Sequence, residues 1–268
     1  MYEYLFVFLL NFIVINSIVL DRKLLASWYP DYETRSDLPL ENQNITSISL
    51  DTFQNLTLLQ TLDLSVNNLT YVQNGTFANL KSLQYLDISY NQLTMLENFI
   101  FRDLSNLTQL YIMDNQLFQI NMFTLSGLGD CLKELNLNQN YLINIDPFAF
   151  IGLNQLEYLS LNGNNLVKLD PFLYTSMSQN LKSLDLSNNS LSNITSTSFL
   201  GLTGLLDLDL SFNHIEFIEA NSFMYLFNLQ VVYLTENPIA LKQPDYVKQL
   251  CSLIPTCTIC LTNLNIDS

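Results

Sequence analysis

One eleven-residue pattern, L-x-x-L-x-L-x-x-N-x-L, recurs along most of the chain at intervals of 24 or 25 residues. Clear copies are LQTLDLSVNNL at 59–69 and LKSLDLSNNSL at 181–191. A repeat of this length is typical of a solenoid, in which one coil cannot bury its own apolar edge and must stack on its neighbours. We number the nine units coil 1 to coil 9 and count positions from the first residue of each unit. The units start at Arg35, Leu59, Leu83, Leu107, Leu132, Leu156, Leu181, Leu205 and Leu229.

Three columns of the repeat indicate what each coil buries. Position 14 is aliphatic in coils 1 to 8, and position 19 is Phe in six coils, with Leu125 and Tyr174 in two others. The L-x-L alternation places two leucines on one face of a short strand and the residues between them on the other face. Position 9 is Asn, and a buried amide without partners would cost about 1–3 kcal/mol. This column therefore predicts a ladder of hydrogen bonds between coils. Its members are Asn67, Asn91, Asn115, Asn140, Asn164, Asn189, Asn213 and Asn237, with Gln43 in coil 1.

The units resemble leucine-rich repeats of the 24-residue "typical" class, over about residues 35–241. That class occurs in Toll-type receptor ectodomains, small extracellular proteoglycans and many secreted recognition proteins. The resemblance implies a horseshoe-shaped solenoid with a curved parallel β-sheet on the concave face. Loops or short helical turns would form the convex face. It also implies that a ligand, usually a protein, binds through concave side chains.

The first twenty residues are almost entirely apolar and are interpreted as a secretory signal peptide, with Ser17 as a candidate cleavage point. The run has a borderline length for an uncleaved anchor, so a signal anchor in the membrane is the alternative. The basic pair Arg22 and Lys23 follows the apolar run instead of preceding it, and the positive-inside rule would place that pair in the cytoplasm, the wrong side for an exported body. After removal of this segment, no second apolar stretch of membrane length follows. Residues 21–34 are then expected to cap the N-terminal end of the solenoid, using Leu24, Leu25, Trp28 and Tyr29.

Residues 242–268 are expected to form the C-terminal cap. The segment after Asn237 lacks the Trp and the Cys-x-Cys that extracellular members of the family usually carry, and it resembles the short cap of intracellular repeat proteins. Tyr246, Val247 and Leu250 are predicted to share one helical face, followed by a last strand near Cys257. The cap therefore favours an alternative reading of the chain as a cytoplasmic scaffold or regulatory subunit.

The chain has four cysteines, and only the three in the C-terminal cap lie close enough together in sequence for a disulfide to be considered. Cys131 lies five coils before the cap, roughly 24 Å at about 4.8 Å per strand, which is beyond the reach of a disulfide. One bridge among Cys251, Cys257 and Cys260 is open. The Cys-x-x-Cys at 257–260 has no second pair of ligands nearby, so no metal and no cofactor is expected.

Catalytic motifs do not occur in the sequence. It contains no G-x-S-x-G, H-E-x-x-H or phosphate-cradling glycine loop. The one histidine, His214, is interpreted as a solvated turn residue, so an enzyme is not expected. A net charge of −15 disfavours nucleic acid as a partner, because basic patches supply most of that affinity.

Seven Asn-x-Ser/Thr acceptors support secretion, although a chain this rich in Asn, Ser and Thr is expected to hold about five by composition. If the protein is extracellular, these acceptors are predicted to carry N-linked glycans. The candidate acceptors are Asn44, Asn55, Asn68, Asn74, Asn106, Asn188 and Asn193.

The concave face is predicted to consist of positions 3, 5, 7 and 8. Coil 4, LTQLYIMDNQL, departs most from the consensus there, and tyrosines with apolar rings and polar tips are typical interface anchors. Nine strand spacings give an arc of roughly 43 Å, long enough for a standard protein interface. The predicted partner is a protein with a basic surface, and its contact residues are Tyr85, Asp87, Tyr90, Tyr111, Met113, Asp114, Glu134 and Tyr158.

The function predicted from the sequence is therefore a secreted recognition protein without enzymatic activity, in adhesion or innate immunity. The intracellular scaffold and a fragment of a longer leucine-rich repeat receptor are the alternatives. The sequence leaves the oligomeric state open.

Overall fold

The fold is given by a computed structural model that describes residues 17–129, 131–177, 179–252 and 259–261. Nine coils stack side by side, and positions 3 to 5 of each contribute one strand to a continuous parallel sheet. A tenth strand from the C-terminal cap extends it. In spatial order the strands are β2 (Asp37–Pro39), β4 (Thr61–Asp63), β5 (Tyr85–Asp87), β6 (Gln109–Tyr111), β8 (Glu134–Asn136), β10 (Tyr158–Ser160), β11 (Ser183–Asp185), β13 (Asp207–Asp209), β15 (Val231–Tyr233) and β16 (Ile259–Leu261).

The remaining elements are short. Three two-stranded parallel pairs lie outside the concave sheet, and within the described parts of coils 1 to 8 the convex returns are turns without helices. The pairs are β1 (Ile18–Leu20) with β3 (Ile45–Ile48), β7 (Gln119–Ile120) with β9 (Asn144–Ile145), and β12 (Asn193–Ile194) with β14 (Phe217–Ile218). The helices are α1 (Arg22–Trp28), α2 (Pro238–Lys242) and α3 (Pro244–Ser252), with a 3₁₀ turn at Tyr32–Thr34.

The apolar columns of the repeat fill the interior between the sheet and the convex turns. In coil 4, Leu110 and Ile112 flank the outward side chain of Tyr111 and are completely buried. The position 19 residues are buried as well, and Phe77 and Phe101 of adjacent coils stack with 6.2 Å between ring centroids. The core is therefore one row of like residues per column, as expected for a fold in which each coil completes its neighbour.

The asparagine column is buried and bonded in coils 2 to 9, whereas Gln43 in coil 1 is exposed and its Nε2 donates to the carbonyl of Glu41 in its own coil. Asn140 is an example: its Oδ1 accepts from the backbone N–H of Leu117 at 3.0 Å, in the preceding coil. Its Nδ2 donates to the carbonyl of Ile112, also in the preceding coil, and to that of Leu137 in its own coil. Each asparagine thus satisfies buried backbone groups on two coils, which a leucine of similar size would leave without partners.

The N-terminal cap begins upstream of the predicted boundary at Asp21. The segment Ile18–Leu20, assigned to the leader by the sequence, forms β1 and pairs with β3, and Leu20 is completely buried. Asp21 then caps α1 by accepting from the backbone N–H of Leu24 at 2.7 Å. An apolar leader and an apolar capping strand have the same composition, which is why the sequence could not separate them.

The C-terminal cap begins at Pro238, where α2 replaces the convex return of coil 9. In α3, Val247 and Leu250 are buried, and the Tyr246 hydroxyl donates to the carbonyl of Ile218 at 2.7 Å. Strand β16 follows the helix and pairs with β15, while Cys257 lies outside the described residues. Within the parts of the chain that the structure describes, none of the helices has the length and apolar character needed to traverse a bilayer.

Every coil leaves the concave sheet through a residue with positive φ at position 8. Asn188 (φ 51°) and Gly163 (φ 67°) suit this left-handed conformation. Val66, Tyr90 and Phe212 adopt it too, with φ between 53° and 54°, and are about half exposed. Bulky residues are rare in this region of φ, so the turn is imposed by the stacked coils and not by the local residue.

Candidate functional site

The predicted concave residues lie on one stretch of the sheet, from β5 to β10. The register pairs Asp87 with Tyr111 and Glu134 with Tyr158 across neighbouring strands. Tyr85, Tyr111 and Glu134 are each partly exposed and alternate with buried leucines, since successive residues of a strand point to opposite faces. The strand geometry therefore places these side chains on the surface that the coils curve around.

Tyr85 and Tyr111 form the centre of this surface. Their ring centroids are 5.4 Å apart with an interplanar angle of 43°, and the Tyr85 hydroxyl donates to Asp87 Oδ2 at 3.3 Å. Gln109 Nε2 donates both to the Tyr111 hydroxyl and to Glu134 Oε2, at 3.0 Å each. We call Tyr85, Asp87, Gln109, Tyr111 and Glu134 the tyrosine cluster. It is a preformed arrangement, because its rings and polar tips are held by one another.

The pKa of both tyrosine hydroxyls is raised, by burial and by the neighbouring carboxylates. Burial raises the pKa of Tyr85 to about 12, with further contributions from Asp87 and Asp63. Burial is also the largest cause of the raised pKa of Tyr111, followed by its interaction with Glu134. Both hydroxyls are therefore neutral donors at physiological pH, next to carboxylates that remain able to accept from a partner.

The remaining predicted residues surround the cluster. Met113 and Asp114 follow β6, and Tyr90 follows β5 at the left-handed exit, half exposed. Met113 Sδ lies 3.8 Å from Asn136 Nδ2. Tyr158 is also half exposed, but it stands two coils from Tyr111 with the Glu134 strand between them. The structure thus brings Tyr85 and Tyr111 into contact and leaves Tyr158 as a separate flanking ring.

Position 5 aspartates have a local bonding role. Asp185 Oδ1 accepts from the backbone N–H of Ser187 at 2.9 Å, and the same bond recurs in coils 2, 3 and 8. In coil 4 this position is Tyr111, which cannot make that bond, and the N–H of Met113 instead donates to Ser89 Oγ of the preceding coil at 3.1 Å. Coil 4 therefore has no position 5 carboxylate to accept from its position 7 N–H, and an outward aromatic side chain occupies that position instead.

The charge of the concave face is of one sign. Positions 3, 5, 7 and 8 of the nine coils hold no Lys or Arg, whereas they hold ten of the chain's 25 acidic residues. Two nearby lysines, Lys133 and Lys182, stand at position 2 and pair with Glu157 of the coil between them. The concave acids are Asp37, Glu41, Asp63, Asp87, Asp114, Glu134, Asp185, Asp207, Asp209 and Glu236.

The other candidate residues lie away from the cluster. The acceptor asparagines are exposed or partly exposed and occur in coils 1, 2, 3 and 7, while coils 4 to 6 contain none. His214 is exposed, and Cys131 is a free, partly exposed cysteine. Among the described residues there is no group of three or more His, Cys, Asp and Glu side chains placed to bind a metal.

Sequence reasoning missed Gln109. This residue joins Tyr111 to Glu134 and so connects two coils of the cluster. Its place at position 3, next to predicted contact residues on both sides, was the available signal. A glutamine is unremarkable at an exposed strand position, however, so only the geometry identifies it.

Comparison with protein families gives one match over most of the chain. The model for the leucine rich repeat matches residues 36–93, 105–166 and 179–239. No curated protein matches the chain significantly.

Solved structures with similar folds include chains of two kinds of complex. A chain of the Toll–Spatzle complex, a molecular hub in Drosophila development and innate immunity, has a TM-score of 0.72 and 24% identity, covering 80% of this chain and 28% of that one. The glycosylated form of that complex gives a TM-score of 0.76 and 22% identity, covering 84% and 31%. The TLR13–ssRNA13 complex gives 0.72 and 32%, covering 75% and 28%. The chain thus spans about a third or less of the length of these proteins.

Proposed function

The chain belongs to the leucine-rich repeat family, and on that premise we propose that it is a secreted, non-enzymatic recognition protein. Its partner would be a protein with a basic surface, bound on the concave face around the tyrosine cluster. Adhesion or innate immune sensing is the setting that fits such a module. The observation that carries the proposal is the combination of a preformed aromatic pair with a concave surface that bears acidic and no basic residues.

The aromatic pair supplies contact area and the acids supply complementarity. A Lys or Arg of the partner placed over Tyr85 or Tyr111 would gain a cation–π interaction of about 0.5–2 kcal/mol. The neighbouring carboxylates of Asp87 and Glu134 would accept from the same cation. Because the rings already contact each other, little conformational entropy is lost on binding.

The charge also distinguishes a protein partner from a nucleic acid. The similar TLR13 structure is a complex with single-stranded RNA. In this chain, ten concave acids without a concave Lys or Arg would repel a phosphate backbone, whose binding depends on neutralisation by basic side chains. A basic protein is therefore the favoured partner, and binding is expected to weaken as salt screens the attraction.

Secretion is supported by the seven acceptor sequences and by the apolar N-terminal segment. Mass spectrometry of the protein expressed in a eukaryotic secretory host is the test. The expected result is a new N-terminus no later than Ile18, since Leu20 is buried in the cap, together with glycans on acceptor asparagines. An intact N-terminus without glycans would favour the cytoplasmic scaffold.

The receptor fragment is the second candidate, because the chain spans only 28–31% of the similar solved chains. The full transcript separates the two. A membrane-spanning segment encoded downstream would make this chain part of a receptor ectodomain, and the concave site would then belong to that receptor.

The binding site is tested by affinity capture with the chain itself as bait. Extracellular fluid is passed over wild-type protein, Tyr111→Ala and Tyr111→Phe. A true partner is expected to bind Tyr111→Ala with an affinity lower by more than about 1 kcal/mol, as at a hot spot. Tyr111→Phe, which keeps the ring, should retain most of the binding. A short single-stranded RNA serves as the opposite probe and is expected not to bind. A partner whose affinity is the same for all three proteins would refute the site.

A further inference from the structure

Two Asn-Gly dipeptides occur in the sequence, Asn74-Gly75 in coil 2 and Asn162-Gly163 in coil 6. An asparagine followed by glycine can lose its side-chain amide without a catalyst, because glycine has no Cβ to keep its backbone nitrogen away from the asparagine side chain. Both glycines have positive φ, 97° for Gly75 and 67° for Gly163. The dipeptides are alike in sequence, so a difference in their reactivity in the folded protein must come from their surroundings.

The loss of the amide is a reaction between neighbouring groups of one chain and consumes only water. The backbone nitrogen of the glycine bonds to Cγ of the asparagine and gives up its proton. The Cγ–Nδ2 bond breaks, Nδ2 leaves as ammonia, and a cyclic imide remains. Water then opens the ring at either carbonyl carbon, which yields aspartate or isoaspartate. The reaction therefore requires a glycine N–H that is free, a side chain that can rotate towards it, and room for the ring.

The surroundings of Asn162 hold each of these groups in place. The Gly163 N–H donates to the backbone carbonyl of Ser187 at 3.0 Å. The side chain of Asn162 donates through Nδ2 to Ser187 Oγ at 2.6 Å and accepts through Oδ1 from Gln139 Nε2 at 3.2 Å. A Cβ added at Gly163 would lie 2.3 Å from Gln139 Nε2, so the space beside this glycine is filled. Hydrogen bonds would have to break before Gly163 N could approach Cγ.

The surroundings of Asn74 leave most of the same groups free. Within the described part of the chain, neither the Gly75 N–H nor Asn74 Oδ1 makes a hydrogen bond. Asn74 Nδ2 donates to the carbonyl of Asn98 at 3.2 Å, a longer bond than that of Asn162 Nδ2. A Cβ added at Gly75 would meet only Leu50 Cδ2, at 3.6 Å, and both residues of the dipeptide line a surface cavity of about 210 Å³. Space and access for water are therefore both present.

We propose that Asn74 is a site of spontaneous deamidation in the folded protein, with water as the reactant, and that Asn162 is protected. Asn74 is also a glycan acceptor, so its side-chain nitrogen has two competing fates. Glycosylation would keep Nδ2 and attach a sugar to it, whereas deamidation expels Nδ2 and removes the acceptor. Deamidation needs no host enzyme and no glycan, so it does not depend on the chain being secreted.

Deamidation would weaken the junction between coils 2 and 3. Asn74 now makes two bonds to coil 3, from its backbone N–H to Glu97 Oε2 at 2.9 Å and from Nδ2 to the carbonyl of Asn98. A carboxylate at residue 74 cannot make the second bond, and it adds a negative charge near Glu97. Isoaspartate also inserts a methylene into the backbone of the turn. Coil 3 carries Tyr85, so the weakened junction borders a coil of the tyrosine cluster.

Peptide mass spectrometry of the incubated full chain tests both dipeptides in one molecule. Thr76→Val removes the glycan acceptor and leaves Asn74-Gly75 intact. Thr76 is buried and its hydroxyl has no partner among the described residues, so valine should be accommodated. This variant is expected to accumulate aspartate and isoaspartate at residue 74 at least about 10-fold faster than at residue 162. The rate at residue 74 should rise with pH, because the Gly75 nitrogen loses its proton in the reaction. Wild-type chain from a host without N-glycosylation is a second preparation should Thr76→Val fold poorly.

Two controls separate the effect of structure from that of sequence. In denaturant both dipeptides should react at similar rates, since neither is then held. In the folded protein Ser187→Ala removes the acceptor of Asn162 Nδ2 and should accelerate the reaction at residue 162 without changing the rate at residue 74. Equal rates at residues 74 and 162 in the folded Thr76→Val protein would overturn the proposal. So would an intact Asn74 under conditions in which the denatured chain reacts, or aspartate without isoaspartate, which would indicate hydrolysis without the ring.

Discussion

Coils 4 and 7 contain the same kinds of backbone element and carry different concave side chains. Both contribute a three-residue strand to the concave sheet and a buried ladder asparagine. In coil 7, Asp185 ends the strand with its own hydrogen bond to Ser187. In coil 4, Tyr111 occupies that place, and the corresponding N–H depends on Ser89 of coil 3. The comparison shows that a coil can place an aromatic side chain on the concave face when a neighbour takes over the local bond.

The largest expected effect is the difference in stability lost when a buried ring and a concave-face ring are each removed. Phe199→Ala in coil 7 removes a buried ring that stacks on Phe223 at 6.0 Å. It is expected to lower the free energy of unfolding by about 3–5 kcal/mol. Tyr111→Ala in coil 4 removes a partly exposed ring and should cost under about 1 kcal/mol. Denaturant melts of both variants measure the difference. Equal losses in the free energy of unfolding would contradict the assignment of Tyr111 to the solvent-facing side of the concave sheet.

A smaller effect should reveal the bond that coil 4 borrows. Ser89→Ala removes the acceptor of the Met113 N–H, while the backbone group remains in place. We expect a loss of about 1 kcal/mol. The control is Ser65→Ala in coil 2, where Asp63 still accepts from the backbone N–H of residue 65. That variant should cost less in the same melts. If Ser65→Ala proves the more damaging change, coil 4 does not depend on its neighbour as described.

The left-handed exits predict a gain in stability. Phe212 in coil 8 adopts φ 53° and is 53% exposed, whereas coil 7 has Asn188 at the same position. Phe212→Asn installs the residue that tolerates this conformation and should raise the free energy of unfolding by about 1 kcal/mol. A matched change at Thr235, one residue before the left-handed exit of coil 9, to Asn should give no such gain. A Phe212→Asn variant with lowered stability would show that the ring contributes packing after all.

The smallest effect concerns pH and the tyrosine cluster. The pKa of Tyr85 in the folded protein is about 12, against about 10 in an unfolded chain. Between these values the unfolded state has lost a proton that the folded state retains, so stability falls as pH rises from about 10 to about 12. Thermal melts across this range should show a smaller decrease for Tyr85→Phe than for the wild type. Identical slopes of melting temperature against pH for the two proteins would mean that the pKa of Tyr85 is not raised by folding.

The sequence was sufficient to predict the solenoid, and the structure and the family match confirm that prediction. The reason is that Leu110 and Ile112 belong to columns that repeat in every coil, so the periodicity carries the fold. The bridge made by Gln109 depends on side-chain conformations in two different coils, which periodicity does not report.

The exposed phenylalanines at position 17 were missed for a different reason. Phe99 and Phe101 are both phenylalanines in the same coil, yet the first is 41% exposed and the second completely buried. Only the course of the convex turn decides which of them faces solvent. Composition counts them alike, so a surface made from the same residue type as the core is invisible until the turn is known.

The direction of the asparagine ladder has a consequence for how the protein is made. The side chain of Asn140 bonds to backbone groups of the preceding coil, through Leu117 and Ile112, and the ladder repeats this along the chain. A coil leaving the ribosome therefore has unsatisfied backbone groups until the asparagine of its successor arrives. At a synthesis rate of about 5–20 residues per second, that interval is on the order of 1–5 s for each coil. The nascent chain grows with one unfinished end, and the cap at Pro238 onward is the segment that finally closes it.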